Sequence, residues 1–251
     1  MKPIYLDHHT ATRPVKSSAP VYWQALEAPY ADREILSRCE EGVATAKKLI
    51  NGEVELEIVC DGDEAVASVL YHHYFETVKS TGRHHLLYAA NEKAITLHTL
   101  DRLKELGCVA LPVPLDDGQI TVAALKKIVN PRVSFLTLPW VDPLTGVINP
   151  IEEIATFCKA QNITLHIDAT FGIRYLEMPF VGDFITIDGA LIGGSTGGGL
   201  IYKKEKTCIS VIPRSRIDAS ITLGLQAAIE KLIQERSDSG MELARLKAHF
   251  E

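Results

Sequence analysis

The chain has 251 residues, of which 46% are hydrophobic and 23% are charged. This usage is that of an ordinary globular protein, and it excludes disordered, collagen-like and low-complexity classes. Acidic residues outnumber basic ones by 32 to 26, which gives a formal net charge of −6. No basic run is longer than a pair such as Lys203-Lys204, which follows a strand and is expected to be exposed. The sequence therefore offers no electrostatic surface for nucleic acid or for an anionic membrane.

The cysteines and the N-terminus predict a soluble cytoplasmic protein. No two cysteines have CxxC spacing, so neither a zinc site nor a disulfide framework is expected, and free thiols fit a reducing compartment. The five cysteines are Cys39, Cys60, Cys108, Cys158 and Cys208. The segment from Met1 to His9 meets charged and imidazole groups too early for a signal peptide, and no apolar run approaches the ~18 residues of a membrane span. The histidine pairs lack ligand spacing with acidic residues, so no metal site is predicted.

Hydrophobic periodicity predicts helices and strands that alternate along the chain. The first half reads, in order, as a helix at 34–50, a strand at 56–60, a helix from the 61–64 turn to 79, a strand at 85–89, a helix at 91–106 capped by Asn91, and a strand at 108–113. The second half reads as a helix at 122–129, a strand at 133–138, a helix at 150–161, strands at 163–167, 184–187 and 199–202, and a helix at 218–250 with a candidate break at Ser237–Gly240.

This alternation argues for an α/β fold, a three-layer α/β/α sandwich with a mainly parallel sheet. We expect an N-terminal arm at residues 1–15, a large α/β domain at 16–215 and a long C-terminal helix at 216–251. Ligands of such a sheet bind at the carboxyl ends of its strands. The candidate site residues therefore follow the strands: Asp61–Glu64, Asn91–Lys93, Trp140–Pro143, Asp168–Phe171 and Asp188–Leu191.

Several of these segments, in this order, resemble one family. The N-terminal stretch Ile4-Tyr5-Leu6-Asp7-His8-His9-Thr10-Ala11-Thr12 and the strand end Leu165-His166-Ile167-Asp168-Ala169-Thr170 resemble motifs of the cysteine desulfurases. These enzymes belong to the class V aminotransferase group and use pyridoxal phosphate (PLP). Gly118-Gln119-Ile120 and the loop Val141…Gly146-Val147-Ile148 are also similar to family segments. The resemblance, over roughly residues 4–250, implies the large-domain fold of PLP-dependent transferases of fold type I.

The resemblance also implies roles for individual residues. The aspartate that stabilises the protonated pyridine nitrogen matches Asp168, which is followed by Thr170, and the glycine of the phosphate-binding turn matches Gly62. The histidine that stacks on the ring matches Lys93. The lysine that forms the Schiff base matches Leu191, and leucine has no amine to form one. No catalytic residue is therefore assigned, and Asp168, Thr170, Gly62 and Lys93 would form a degenerate PLP site.

The positions that match the family's phosphate cradle carry carboxylates. They are Asp63 and Glu64 at the start of a helix and Asp188 after a strand. A helix N-terminus binds an anion through free amides, but we expect Asp63 and Glu64 to cap those amides themselves. The three carboxylates would repel a phosphate by ~1 kcal/mol or more per close pair. The sequence thus predicts weak PLP binding, if any.

Other features of the resemblance concern cysteine, missing sequence and partners. The sulfur-accepting cysteine of the family lies in a smaller C-terminal domain that we expect to be absent here, and all five cysteines are expected to be buried core thiols. Family members form homodimers, and by analogy a sulfur-transfer or scaffold partner is expected. Apolar residues of the last helix should pack on the chain's own sheet or on a second subunit. They are Ile221, Leu225, Ile229, Leu232 and Ile233.

Three functions remain open at this point. The first is a non-catalytic cysteine desulfurase-like pseudoenzyme, either a working scaffold or a relic. The second is an active PLP-dependent desulfurase or lyase that uses a displaced lysine such as Lys93. The third is a small-ligand-binding protein that reuses the cleft without PLP. In each case the strand ends should converge on one cleft. The residues expected there are Asp7, Asp63, Asp168, Asp188 and Leu191.

Overall fold

A computed structural model describes residues 12–28, 32–194, 197–204, 206, 209 and 218–250. Its helices are α1 (Ser18–Glu27), α2 (Arg33–Lys47), α3 (Gly62–His73), α4 (Lys79–Thr81), α5 (Ala94–Glu105), α6 (Val122–Ile128), α7 (Ile151–Ala160) and α8 (Ala219–Phe250). Its strands are β1 (Ile50–Asn51), β2 (Glu55–Val59), β3 (His85–Ala89), β4 (Val109–Val113), β5 (Val133–Pro139), β6 (Thr164–Asp168), β7 (Met178–Pro179), β8 (Phe184–Asp188) and β9 (Gly199–Lys203). A π-helical segment, Tyr74–Val78, joins α3 to α4.

Seven of these strands form the central sheet, in the order β2-β9-β8-β6-β5-β3-β4. Neighbouring strands pair in parallel except at β9, which runs antiparallel to both β2 and β8. Strand β5 lies between β3 and β6, and all seven of its residues are buried. A strand covered on both faces has this continuous apolar pattern. The predicted α/β fold with a mainly parallel sheet is confirmed.

Helices pack on both faces of the sheet and so complete three layers. On one face, α3 and α5 form a core with β3 and β5 that includes Val66, Leu70, Leu86, Leu100, Leu103 and Phe135. On the other face, α7 and α8 pack against the same strands and their neighbours in a core that includes Leu87, Leu136, Ile154, Ile185, Leu225 and Ile229. Burial of these side chains is the main term that stabilises the fold.

Helix α8 runs without a break from Ala219 to Phe250, so the candidate interruption at Ser237–Gly240 is not observed. Its first half carries the predicted apolar stripe, and Ile221, Leu225, Ile229 and Leu232 are each at most 9% exposed within this chain. Ile233, at the edge of the stripe, is 41% exposed. Four residues of the stripe are therefore covered by the chain itself.

Two local elements differ from those that the periodicity predicts. The helix predicted to reach residue 50 ends at Lys47, and Ile50–Asn51 instead forms a short strand that pairs with Met178–Pro179. Helix α1 was not predicted from the sequence because only Ser18 and Ala25 of its residues are buried, which leaves little apolar periodicity. None of the described helices is long and apolar enough to cross a membrane.

Candidate functional site

A cavity of about 360 Å³ lies at the carboxyl ends of β6 and β8, beside the first turns of α3 and α5. Parallel strands end at the same edge of a sheet, which explains why residues distant in sequence meet here. The cavity is lined by Gly62, Asp63, Val66, Lys93, Ala94, Ile95, Asp168, Thr170, Phe171, Thr186, Asp188 and Leu191. Four of the five residues expected in one cleft thus line it, and Asp7 is outside the described residues.

Two of the lining residues, Lys93 and Asp168, form an ion pair. Lys93 Nζ lies 2.6 Å from Asp168 Oδ2, and the two side chains are 22% and 5% exposed. Burial is the largest single influence on both pKa values and works against both charges, but the pair partner together with other nearby groups outweighs it. The other groups are Asp188 and Glu92 for Lys93, and the hydrogen bonds from Thr170 for Asp168. The pKa of Lys93 is therefore raised above its ordinary value and the pKa of Asp168 is lowered, so both groups are charged at neutral pH.

Thr170 holds the other oxygen of Asp168. The Thr170 amide and hydroxyl both donate to Asp168 Oδ1, at 3.0 and 2.5 Å. The same hydroxyl oxygen accepts a hydrogen bond from the Asp188 amide at 3.0 Å. The turn after β6 is thereby tied to the end of β8, and the Asp168 carboxylate is fixed with Oδ2 directed at Lys93.

The first turn of α3 is capped by Asp61, not by Asp63 as predicted. Asp61 accepts a hydrogen bond from the Glu64 amide at 2.7 Å, and Glu64 Oε2 accepts one from the Cys60 amide at 2.7 Å. This reciprocal arrangement resembles a capping box. Asp63 is left to face the cavity, where burial and then the negative charge of Asp61 raise its pKa.

Asp188 lies against the start of α3. A Cβ placed on Gly62 would come within 2.5 Å of the Asp188 Cβ and Cγ atoms, so a residue without a side chain is needed there. The Ala190 amide donates to Asp188 Oδ1 at 2.9 Å. Burial raises the pKa of Asp188, and the nearby Lys93 ammonium opposes that shift.

Leu191 follows β8 and lines the cavity with an aliphatic side chain. Lys203 is the last residue of β9 and Lys204 follows it, and neither lines the cavity. Lys203 was expected to be exposed, but it is 5% exposed and pairs with Glu57. Lys204 is exposed, with its Nζ 5.9 Å from the centre of the Phe180 ring.

A buried polar network beneath the cavity was not foreseen from the sequence. Glu92 accepts hydrogen bonds from Thr137 at 2.9 Å and Thr96 at 3.1 Å. Thr137 Oγ1 lies 2.8 Å from His166 Nδ1, and His166 Nε2 lies 2.9 Å from Thr186 Oγ1. Burial raises the pKa of Glu92 to about 7 and lowers that of His166 to about 4. The sequence feature that could have indicated this network is the presence of a polar residue in each of three mainly apolar strands, namely Thr137, His166 and Thr186.

The start of α5 also differs from the prediction. Asn91 was expected to cap this helix, but the N-cap residue is Lys93, which makes no side-chain capping bond. The side-chain amide of Asn91 (Nδ2) instead donates a hydrogen bond to the carboxylate of Asp142, which lies in the loop after β5. The polar groups after β3 and β5 are thus bonded to each other and not to the helix.

Known proteins resemble this chain in sequence and in fold. The family model described as "Aminotransferase class-V" matches residues 29–214. The chain is 22% identical to cysteine desulfurase IscS of Rickettsia massiliae over 84% of this chain and 54% of that protein. It is 22% identical to a probable mitochondrial cysteine desulfurase of Dictyostelium discoideum, over 90% and 51%. The chain therefore spans about half the length of these curated relatives.

Solved structures share the fold. A NifS-like protein matches 98% of this chain and 74% of its own, with a TM-score of 0.89 and 18% identity. DndA from Streptomyces lividans matches 93% and 73%, with a TM-score of 0.75 and 22% identity. The matches agree with the mainly parallel sheet and its flanking helices. From its family match over most of its length, the chain belongs to the class V aminotransferase family and is cysteine desulfurase-like.

Proposed function

We propose that this chain is a non-catalytic member of its family, a pseudoenzyme that keeps the large-domain fold and does not hold PLP. The observation that carries the proposal is that Lys93 is held in an ion pair with Asp168. Lys93 is the sole lysine among the described residues that line the cavity, and its Nζ lies 2.6 Å from Asp168 Oδ2.

Lys93 is poorly suited to act as a displaced Schiff-base lysine. A lysine attacks a carbonyl only as the neutral amine. Although burial favours the neutral form, the Asp168 carboxylate holds the pKa of Lys93 above its ordinary value. By the family resemblance, Asp168 is also the partner of the pyridine nitrogen. The Lys93 ammonium would therefore compete with PLP for that carboxylate and would not attack its aldehyde.

The opposite end of the cavity is equally unfavourable for a phosphate. Asp188 lies against Gly62, which is the glycine that matches the phosphate-binding turn. Asp63 lines the same space. A phosphate dianion would meet these carboxyl groups at the helix end where it would otherwise find amides. With Leu191 at the expected lysine position, the residues present do not fit PLP.

Titration of the purified protein with PLP tests this proposal. We expect no stoichiometric yellow adduct and no lysine fixed by borohydride, because the amine is protonated and the phosphate is repelled. A bacterial cysteine desulfurase of the IscS type, treated in parallel, supplies the positive control. A one-to-one adduct mapped by mass spectrometry to Lys93 would contradict the proposal and would favour the active-enzyme alternative.

Small-ligand binding in the same cavity is the second candidate. The cavity volume of about 360 Å³ and its mixed lining of Phe171, Ile95 and Asp188 favour it. Such a ligand would bind without forming a coloured adduct. A small-molecule library can be screened by measuring the melting temperature of the protein with each compound. A compound that raises the melting temperature indicates a ligand-binding protein, and no shift with any compound indicates a scaffold.

We propose a cytoplasmic homodimer, with a sulfur-transfer or scaffold partner by family analogy. Cys39, Cys108 and Cys158 are buried free thiols, which suits a reducing compartment. Cys60 is only half-buried, contrary to expectation, and Cys208 lies outside the described residues. Trp23 on α1 and Leu36 on α2 are 62% and 42% exposed, as expected of residues available to a second subunit. Sedimentation velocity tests the oligomer, and a monomer at micromolar concentration would contradict it.

A further inference from the structure

Asp168 is a preorganised acceptor for a cation. Its carboxylate is buried, and both donors of Thr170 bind the same oxygen, Oδ1. The other oxygen, Oδ2, lies 2.6 Å from the Lys93 ammonium. A buried carboxylate that keeps its charge needs such a partner, because loss of one member of a buried ion pair leaves an uncompensated charge.

An aromatic ring completes the surroundings of this cation. Lys93 Nζ lies 5.1 Å from the centre of the Phe171 ring. A ring face and a carboxylate together are the groups that bind organic ammonium ions in proteins. Asp188 lines the same cavity and adds to the negative potential at Nζ. The space that Lys93 Nζ occupies therefore favours a positively charged group, whether that group belongs to the chain or to a ligand.

The Lys93 side chain reaches this position without taking part in helix α5. Its backbone is the extended N-cap, with φ −63° and ψ 155°, and its carbonyl accepts from the Leu97 amide at 3.2 Å. The side chain makes no capping bond. Truncation of the side chain would thus leave the start of α5 intact and would enlarge the cavity next to Asp168.

We propose that Asp168, Thr170 and Phe171 form a receptor for an organic ammonium ion, and that the Lys93 side chain is its built-in occupant. This occupant supplies from within the chain the positive charge that Asp168 needs. The charge of Asp168 is consequently balanced without a bound cofactor. The inference goes beyond the absence of PLP, since it assigns a ligand chemistry to the site and a reason for the lysine.

Chemical rescue of Lys93→Ala by propylammonium tests the proposal. Propylammonium has the atoms from Cγ to Nζ that the substitution removes. We expect Lys93→Ala to lower the melting temperature by about 5–15 °C, since a buried charge is left unpaired. Millimolar propylammonium chloride should then restore several degrees, because a ligand that binds only the folded state stabilises it. Sodium chloride and propanol at the same concentration correct for ionic strength and for apolar binding.

Lys93→Met is the matched control. Methionine fills most of the same space without charge, so this variant should be destabilised and should not respond to propylammonium. The double variant Lys93→Ala/Asp168→Asn keeps the space left by the lysine side chain but lacks the carboxylate, so propylammonium should not raise its melting temperature. If Lys93→Ala does not fold, the double variant still must, because both members of the pair have been neutralised.

The outcomes separate this proposal from the previous one. Rescue of Lys93→Ala alone supports the receptor. Equal responses of the alanine and methionine variants, no response beyond the chloride control, or a double variant that does not fold would each overturn it. A PLP adduct of the unmodified protein would instead contradict the pseudoenzyme proposal. The response of the Lys93 variants to propylammonium does not depend on the outcome of the PLP titration, so failure of one proposal can be distinguished from failure of the other.

Discussion

Asp188 and Gly62 are in such close contact that residue 62 must be glycine while residue 188 has a side chain. A Cβ on Gly62 would lie 2.5 Å from Asp188 Cβ, which is far inside van der Waals contact. Gly62 begins α3 and Asp188 ends β8, so the contact fixes the helix against the strand end. It also places a carboxyl group where a helix N-terminus would otherwise accept an anionic ligand.

Gly62→Ala should destabilise the protein by about 1–3 kcal/mol, the range for overpacking of a tight contact. The clash involves Asp188 Cβ as well as its carboxyl group, so rotation of the side chain cannot relieve it. Urea unfolding measures the effect. Gly240→Ala is the control, because a Cβ there meets no atom within 4 Å and should stabilise α8 by up to ~1 kcal/mol. An unchanged stability of Gly62→Ala would show that the contact is looser than described.

Asp61→Ala should destabilise the protein by about 1 kcal/mol, because Asp61 accepts the hydrogen bond from the Glu64 amide at the start of α3. Asp63→Ala, two residues later, should change the stability by less than about 0.5 kcal/mol or increase it. Asp63 has a pKa raised by burial and by Asp61, so its charge is unfavourable in the fold. Equal losses in the two variants would contradict the assignment of Asp61 as the cap.

The sequence was most informative where local pattern and tertiary packing agree. The run Val133–Leu138 is apolar enough to predict the buried strand β5, and the Asp168 turn follows from the end of an apolar strand. Prediction failed where distant residues supply the partner. Asn91 is a good capping residue, but Asp142 binds it across the sheet edge. Lys203 is buried because Glu57 on a neighbouring strand neutralises it.

Lys93 shows the same limit within the site itself. A lysine in the first turn of a helix is ordinarily a solvated charge, and nothing in its immediate sequence indicates otherwise. Its partner Asp168 lies at the end of a strand 75 positions further along the chain, so the ion pair exists only once the sheet has assembled. The family resemblance aligned both residues to one site but did not show that they bind each other.

The contribution of Glu92 to the stability of the protein should fall as the pH rises from about 4.5 to about 7, while the buried His73 and His166, whose pKa values are lowered, contribute a change of the opposite sign. Burial raises the pKa of Glu92 from 4.5 to about 7. Between these values the folded chain keeps a proton that the unfolded chain releases, so a higher pH favours unfolding. Glu92→Gln should be more stable than the parent protein at pH 8, by up to about 3 kcal/mol, and nearly equal to it at pH 4.

The difference between Glu92→Gln and the parent isolates this one group. Glutamine can still accept from Thr137 and can donate to Thr96, so the hydrogen bonds are retained. Asp63 and Asp188 have raised pKa values and add a slope of the same sign, whereas His73 and His166 have lowered pKa values and add a slope of the opposite sign, but all four do so in both proteins. Thermal unfolding at several pH values gives the comparison. A stability difference that does not change with pH would contradict the assignment.

Leu191→Lys alone should not produce a covalent PLP adduct. The new amine would lie in a cavity whose Asp168 carboxylate is already paired with Lys93 and whose helix end faces Asp188. Addition of Lys93→His and Asp188→Ser should first increase PLP affinity, since the competing cation and the repelling carboxylate are then removed. Glu64 should be left unchanged in this series, because its carboxylate accepts a hydrogen bond from the Cys60 amide. Absorbance titration and borohydride trapping of each variant measure the two steps, and a stoichiometric adduct with Leu191→Lys alone would show that neither Lys93 nor Asp188 obstructs the site.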